Sequence, residues 1–123
     1  MNYSDYLELD PMVLFSTMHK QFDVEIPMEI TSIEDMNNAS RLLLYLSQSW
    51  SFVNSLLAYS KRQVRELKRE ASKSEYEDAI DKKEIIQSIA DNLKQQYQAI
   101  SRAVTIHIEN NNELRFTDGG IKK

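Results

Sequence analysis

The chain has 123 residues, a formal net charge of −4, two glycines, two prolines, two histidines and no cysteine. This length suits one domain, and the lack of cysteine excludes a disulfide framework and a thiolate metal site. The two glycines stand together at 119 and 120, so none remains for a phosphate-cradling loop. No apolar run approaches the roughly 20 residues of a membrane span. Residues 1–5 lack the features of a signal peptide, so a cytoplasmic location is expected.

The net charge conceals a segregated distribution. Residues 1–36 hold eight carboxylates and one lysine, whereas residues 61–73 hold six basic side chains and two acidic ones. The six basic residues are Lys61, Arg62, Arg65, Lys68, Arg69 and Lys73. Because the acidic and basic blocks are separate in the sequence, the net charge says little about local partners.

Residues 1–31 are predicted to form an acidic arm with one short helix. Asp10 can cap that helix, and Pro11 is tolerated at its first position. The apolar contacts of the helix are expected from Met12, Val13, Phe15 and Met18. The loose alternation between Phe22 and Ile30 favours an extended segment, in which Pro27 argues against a central strand.

A long helix is predicted to follow. Thr31 with Glu34 and Ser32 with Asp35 form two overlapping capping boxes, and no glycine or proline interrupts the chain from there to residue 73. Two heptad positions stay apolar along this stretch, apart from one serine. One position holds Met36, Leu43, Trp50, Leu57, Val64 and Ala71, and the other holds Ala39, Leu46, Val53, Ser60 and Leu67. Such a helix would be about 60 Å long, so it needs a second long helix or another subunit as a partner.

The second long helix is predicted after a turn at residues 72–74, with a capping box from Ser74 to Glu77. Its apolar residues are Ile86, Ile89, Leu93, Tyr97, Ile100, Val104 and Ile108. Their mean spacing of about 3.67 residues is a hendecad repeat. The sequence therefore predicts an all-α protein, in which residues 32–116 form a coiled-coil-like hairpin of two long antiparallel helices.

The end of the chain is open to two interpretations. Residues 104–116 alternate in polarity around three asparagines, which is compatible with a small C-terminal β-hairpin. The hendecad spacing runs unbroken through Ile108 and favours a continued helix. Residues 117–123 are expected to form a flexible tail.

Side-chain chemistry does not favour catalysis. His19 and His107 are far apart and have no His or Cys nearby, so no metal site is expected. The carboxylates at 75–84 are more typical of a solvated helix face than of an acid–base pair, because a thin helical hairpin offers no cleft. No serine lies in a nucleophile-elbow pattern. We expect no enzyme and no cofactor.

The basic block carries a functional signal. Four of its residues are spaced by three or four and form one stripe along the helix: Lys61, Arg65, Lys68 and Arg69. A helix with such a stripe can follow a phosphate backbone, and Tyr59 and Tyr76 can add base stacking for a single strand. The alternative is a solvated face that Glu66, Glu70 and the acidic second helix neutralise.

Three stretches of the chain form a recognisable arrangement. The first is the capped helix start at residues 30–32, followed by Ala39 to Tyr45 and by Trp50. The second is the basic continuation from Arg62 to Lys73. The third comprises Ile100, Ser101, Arg102, Ile106, Ile108, Arg115, Phe116 and Gly119. Together these stretches resemble the small recombination-mediator proteins of large tailed phages, the UvsY-like family.

This resemblance implies a helical, homo-oligomeric phage protein of homologous recombination and DNA repair, located in the host cytoplasm. It implies binding of single-stranded DNA by the basic block, and help for a RecA-like recombinase in displacing single-strand-binding protein. The alternative is a coiled-coil protein-interaction module, or a phage-encoded inhibitor that binds a host protein complex. Met12, Phe15 and Phe22 on the acidic arm would then be exposed docking residues.

Overall fold

The computed structural model describes residues 2–23, 29–70 and 72–121, with the side chains in these ranges except those at 68–70 and 112–121. The described chain contains four α-helices and no strand. The helices are α1 (Tyr3–Glu8), α2 (Pro11–Phe22), α3 (Ile33–Glu70) and α4 (Lys73–Ile121). Helices α3 and α4 pack against each other through core residues from Met36 to Leu57 on α3 and from Ile85 to Val104 on α4. The prediction of an all-α protein with two long antiparallel helices is therefore confirmed.

Helix α3 begins with a hydrogen-bonded cap. The Ser32 hydroxyl accepts the Asp35 N–H at 3.0 Å. The Asp35 carboxylate accepts the N–H and the hydroxyl of Thr31, each at 3.0 Å. These bonds from Thr31, with smaller contributions from Ser32, hold the pKa of Asp35 below its ordinary value. Thr31 thus pairs with Asp35 rather than with Glu34, because the helix starts one residue later than a Thr31 cap requires.

The connection between the long helices is short. Helix α4 begins at Lys73, and Ser72 caps it. The Ser72 hydroxyl accepts the Glu75 N–H at 3.3 Å, and its carbonyl accepts the Tyr76 N–H at 3.1 Å. The capping box predicted from Ser74 is therefore wrong. The Ser-x-x-Glu spacing occurs twice in this stretch, and the earlier copy caps the helix.

The C-terminal part of the chain is helical, so the β-hairpin considered for residues 104–116 is wrong. Ile100 is buried, and Val104 packs against the core one turn later. His107 and Asn111 are again one turn apart, and their side-chain nitrogens lie 3.0 Å from each other. None of the described residues adopts the positive φ that a tight hairpin turn requires. The flexibility of residues 117–123 stays a prediction.

The core runs along the interface between α3 and α4. The buried residues there are Ala39, Leu46, Val53, Leu56, Leu57, Ser60, Ile86, Ile89, Ala90, Leu93 and Ile100. The half-buried residues that flank them are Met36, Leu43, Trp50, Val64, Leu67, Tyr97 and Val104, whereas Ile108 is exposed. The heptad position that holds Ala39, Leu46 and Val53 thus faces α4 directly. Most residues of the position that holds Met36, Leu43 and Trp50 lie at the edge of the interface.

Helices α1 and α2 cover one side of this hairpin. Helix α1 contacts α3, and helix α2 contacts α4. The ring of Phe52 on α3 lies 5.5 Å from Tyr3, 5.7 Å from Tyr6 and 6.2 Å from Phe22, measured between ring centroids. The Tyr6 hydroxyl also donates to the Gln21 side-chain oxygen at 2.7 Å, which joins α1 to α2.

The arm differs from its prediction in two respects. It contains two helices where the pattern indicates one, and its buried face consists of Leu14, Met18 and Phe22. Met12, Val13 and Phe15 are exposed, so the contacts predicted for them are wrong. Leu14, Met18 and Phe22 are spaced by four residues, so they form one continuous apolar stripe along the helix. This stripe faces the core, and the apolar residues beside it stay exposed. The extended segment predicted from Phe22 to Ile30 lies mostly outside the described residues.

Two leucines on α3 provide a matched test of the interface. Leu46 is fully buried, whereas Leu44 is 62% exposed. Leu46→Ala should lower the free energy of unfolding by about 2–5 kcal/mol, because it leaves a cavity against α4. Leu44→Ala should change it by less than about 0.5 kcal/mol. Urea unfolding followed by circular dichroism measures both, and equal losses would contradict this core.

Candidate nucleic-acid interface

The predicted basic stripe lies on the last turns of α3. The side chains of Lys61, Arg62 and Arg65 are exposed. The backbone at Lys68 and Arg69 is helical, and the side chains of these two residues lie outside the description. The described cations of the basic block on α3, Lys61, Arg62 and Arg65, form a solvent-facing set close to the turn, called the basic row below.

Ion pairs do not neutralise the basic row within the described side chains. Two pairs occur there, Lys73 with Glu77 at 4.0 Å and Lys82 with Asp78 at 3.0 Å, both within α4. The carboxylates that the structure describes, including Glu66, make no ion pair with the basic row. Pairs that involve Arg69 or Glu70 lie outside the described side chains. Among the described side chains, the cations of the basic row therefore have no ion-pair partner.

Lys73 lies apart from the basic row. It is the first residue of α4 rather than part of α3. Its ammonium is 4.0 Å from the Glu77 carboxylate, in a pair whose side chains are both largely exposed. An exposed pair of this kind contributes little to stability, so Lys73 remains able to exchange Glu77 for another anion.

A lysine with little exposure holds α1 against the hairpin. The Lys82 ammonium donates to the Leu7 carbonyl at 2.6 Å and lies 3.0 Å from the Asp78 carboxylate, with 12% of its side chain exposed. Leu7 is in the last turn of α1, where the free carbonyls carry the negative end of the helix dipole. Lys82 therefore neutralises this end of α1 and ties it to α4. Its partner is a backbone carbonyl 75 positions away, so no local sequence signal indicates this role.

The pocket beside Lys82 shows which side of the hairpin faces α1. Its lining comprises Leu7, Ser60, Gln63, Leu67, Glu75, Asp78, Ala79 and Lys82. An α-helix turns by about 100° per residue. Lys61 comes nine residues after Phe52, whose ring contacts α1, so it points away from α1. Lys83 lies two residues from both Asp81 and Ile85, which line a groove beside α2, so it points away from α2. The acidic arm and the start of the basic row thus lie on opposite sides of the hairpin.

The two tyrosines predicted to stack on bases have different surroundings. Tyr59 is half-buried, and its ring lies 5.9 Å from that of Tyr3, so it belongs to the contact with α1. The sequence pattern does not predict α1, so it could not predict this contact between Tyr59 and Tyr3. Tyr76 is half-buried on the first turn of α4 and has no aromatic partner among the described rings.

A second surface feature lies between α2 and α4. This groove is lined by Pro11, Met12, Phe15, Asp81, Glu84, Ile85 and Ser88. Met12 is 74% exposed and Phe15 is 45% exposed. The groove therefore combines an apolar floor with two carboxylates, and we call it the acidic groove. Phe22, the third residue predicted to be exposed on the arm, is buried and packs near Phe52 instead.

The described residues contain no group of three or more His, Asp or Glu side chains that could hold a metal ion. In the same part of the chain, no helix is both long and apolar enough to cross a membrane. Comparison with protein families, with curated proteins and with solved structures finds no match to this chain.

The adjacent lysines 82 and 83 test how α1 is held. Lys82→Met should lower the free energy of unfolding by about 1.5–3 kcal/mol, because it removes a charged hydrogen bond and leaves Asp78 unpaired. Lys83→Met should change it by less than about 0.5 kcal/mol. Amide hydrogen exchange at residues 3–8 should accelerate in the first variant only. Equal exchange in both variants would exclude Lys82 as the tether.

Proposed function

We propose that this protein is a non-catalytic, single-stranded-DNA-binding accessory protein of homologous recombination and repair, which helps to load a RecA-like recombinase. The observation that supports DNA binding is the basic row, Lys61, Arg62 and Arg65, which is exposed and has no ion-pair partner among the described side chains. The recombination role, including the displacement of single-strand-binding protein, rests on the resemblance of three stretches to the UvsY-like family.

Binding by the basic row is electrostatic. Each lysine or arginine that neutralises a phosphate releases counterions, so the affinity falls as salt rises. The cations are carried by one α-helix, which lets them follow the backbone of an extended strand. Phosphate contacts carry no sequence information, and the protein therefore binds single strands of any sequence, as a loading factor must.

Self-association strengthens this binding. Met36 and Leu43 stay half-buried in one subunit, and Ile33 and Leu44 are exposed on the same helix. Contact between copies through such residues would remove apolar surface from water. An oligomer then displays several basic rows at once, and this multivalency turns a weak single contact into useful affinity.

Fluorescence anisotropy of a labelled oligo-dT tests the DNA-binding proposal. The variant Lys61→Ala/Arg65→Ala/Arg62→Ala should bind at least about tenfold more weakly and should lower the slope of log affinity against log salt by about 2, because three phosphate contacts are lost. The control Lys20→Ala/Arg41→Ala/Arg102→Ala removes the same charge from exposed positions elsewhere and should leave the slope unchanged.

Two outcomes would contradict this proposal. If the wild-type protein does not bind oligo-dT at micromolar concentration in low salt, DNA binding is excluded. If the basic-row variant keeps the wild-type slope, the basic row is not the site. Sedimentation of the wild-type protein gives independent information: a closed oligomer of more than four subunits favours the recombination mediator, and a monomer or dimer favours a protein adaptor.

The acidic groove favours a second function, that of a protein-interaction module or an inhibitor of a host protein complex. Its apolar floor at Met12 and Phe15 can accept an apolar side chain, and Asp81 and Glu84 can pair with basic residues beside it. The partner that fits is an amphipathic helix with lysine or arginine next to its apolar face.

A pair of labelled helical peptides tests this second function. Both present the same apolar face, and they carry flanking lysines or flanking glutamates. The protein should bind the lysine peptide at least about tenfold more tightly, and Met12→Ser/Phe15→Ser should abolish the difference. Val13→Ser, an exposed residue of the same helix outside the groove, should bind like the wild type. Equal binding of the two peptides would exclude the acidic groove as a site for basic partners.

A further inference from the structure

We infer that single-stranded DNA also contacts α4, along the groove between α3 and α4 that faces away from α1 and α2. We call this the open groove. The inference rests on the proposed function and deepens it, because it adds Lys83 and Lys94 of α4 to the basic row. It also assigns base stacking to Trp50 and Tyr97, which lie at the edge of the helix interface.

Helix geometry assigns these residues of α4 to the open groove. Ile85 and Ser88 line the acidic groove, on the side that α2 occupies. Lys94 and Tyr97 each follow one of these two residues by nine positions, or about two and a half turns, so they face the opposite side. Lys83 is two positions from Ile85, a turn of about 200°, so it faces the same side as Lys94.

The same reasoning places the residues of α3. Ser49 lines a pocket that also contains Tyr6 and Phe22 of the arm, and Ser60 lines the pocket beside Leu7. Trp50 and Lys61 each come one residue later, and each is nine residues from an aromatic residue that contacts α1, Tyr59 and Phe52 respectively, so they face the open groove. The burial of Trp50 agrees with this position, because its side chain packs against the core yet stays half-exposed.

The antiparallel arrangement brings these residues together in two levels. Residues at similar distances from the turn at Ser72 lie side by side, as Ser60 and Lys82 do in their shared pocket, twelve and ten residues from Ser72. Lys61 and Lys83 are each eleven residues from Ser72, and Trp50 and Lys94 are each twenty-two residues from it. The second level is therefore about 16 Å further along the hairpin than the first. The open groove thus has one level with two lysines, Lys61 and Lys83, and a second level with Trp50 and Lys94.

Charge sorting between the two sides of α4 supports a nucleic-acid occupant. Four carboxylates of α4 line the pockets on the side of the arm: Glu75, Asp78, Asp81 and Glu84. Lys83 and Lys94 take the other side, and neither forms an ion pair with a described carboxylate. Cations beside partly exposed aromatic rings are the combination that binds single strands without sequence preference, with phosphates on the cations and bases on the rings.

A variant that lacks two lysines of α4, compared with a control that lacks two arginines elsewhere, tests whether single-stranded DNA contacts α4. Lys83→Ala/Lys94→Ala should weaken oligo-dT binding by about threefold to tenfold and lower the salt slope by about 1.4, because two single-strand phosphate contacts are lost. Arg41→Ala/Arg102→Ala removes two exposed arginines of the same helices and should bind like the wild type. Circular dichroism melting of each variant checks that the fold is kept.

The outcomes separate this inference from the proposed function. If the basic-row variant loses binding while Lys83→Ala/Lys94→Ala matches its control, the contact with α4 is wrong and the proposed function stands. If the wild-type protein does not bind oligo-dT, both fail. Tighter binding of oligo-U or of an acidic helical peptide than of oligo-dT, in the same competition assay, would overturn single-stranded DNA as the occupant.

Trp50 provides a direct reading of base stacking, because it is the one tryptophan of the chain. Oligo-dT should quench its fluorescence in proportion to the bound fraction measured by anisotropy, since a stacked base lies against the indole ring. In Lys83→Ala/Lys94→Ala the same quenching should need about threefold to tenfold more DNA. Unchanged emission at saturating DNA would exclude the path across Trp50.

Discussion

The antiparallel contact between α3 and α4 is the constraint on which the rest of the structure depends. The helices are joined across only two residues, and α4 folds back along α3. Leu46 and Val53 of α3 and Leu93 and Ile100 of α4 are almost completely removed from water, and each such side chain contributes about 1.5–3 kcal/mol of burial free energy. An isolated helix has no such term and is marginal in water, so the long helices owe their stability to each other.

A two-helix hairpin leaves a groove on each of its sides, and the N-terminal arm fills one of them. The Lys82 ammonium binds the Leu7 carbonyl, and the Tyr45 hydroxyl donates to the Gln21 carbonyl at 3.0 Å, so both helices of the arm are tied to the hairpin. An acidic arm close to bound DNA would repel its phosphates. Its attachment on the far side from Lys61 keeps that repulsion small, which is how one mildly acidic chain can carry the proposed DNA site.

The two sides therefore suit two kinds of partner. The acidic groove has the chemistry of a site for a basic protein segment, and the open groove has that of a site for a single strand. Since the hairpin lies between them, one partner can bind without displacing the other. A protein that loads a recombinase onto DNA needs this separation, because it must hold the strand and contact proteins at the same time.

The sequence by itself determined the helices and much of the basic row. Heptad and hendecad spacing, the Ser32 cap and the lack of glycine are signals between residues a few positions apart, and local hydrogen bonds and helix periodicity act over that range. Tertiary structure decided which side each group faces. Tyr59 meets Tyr3, and Lys82 binds the carbonyl of Leu7, both across long stretches of chain. Such contacts depend on how the arm fills one groove, and only the packing of the whole chain determines that.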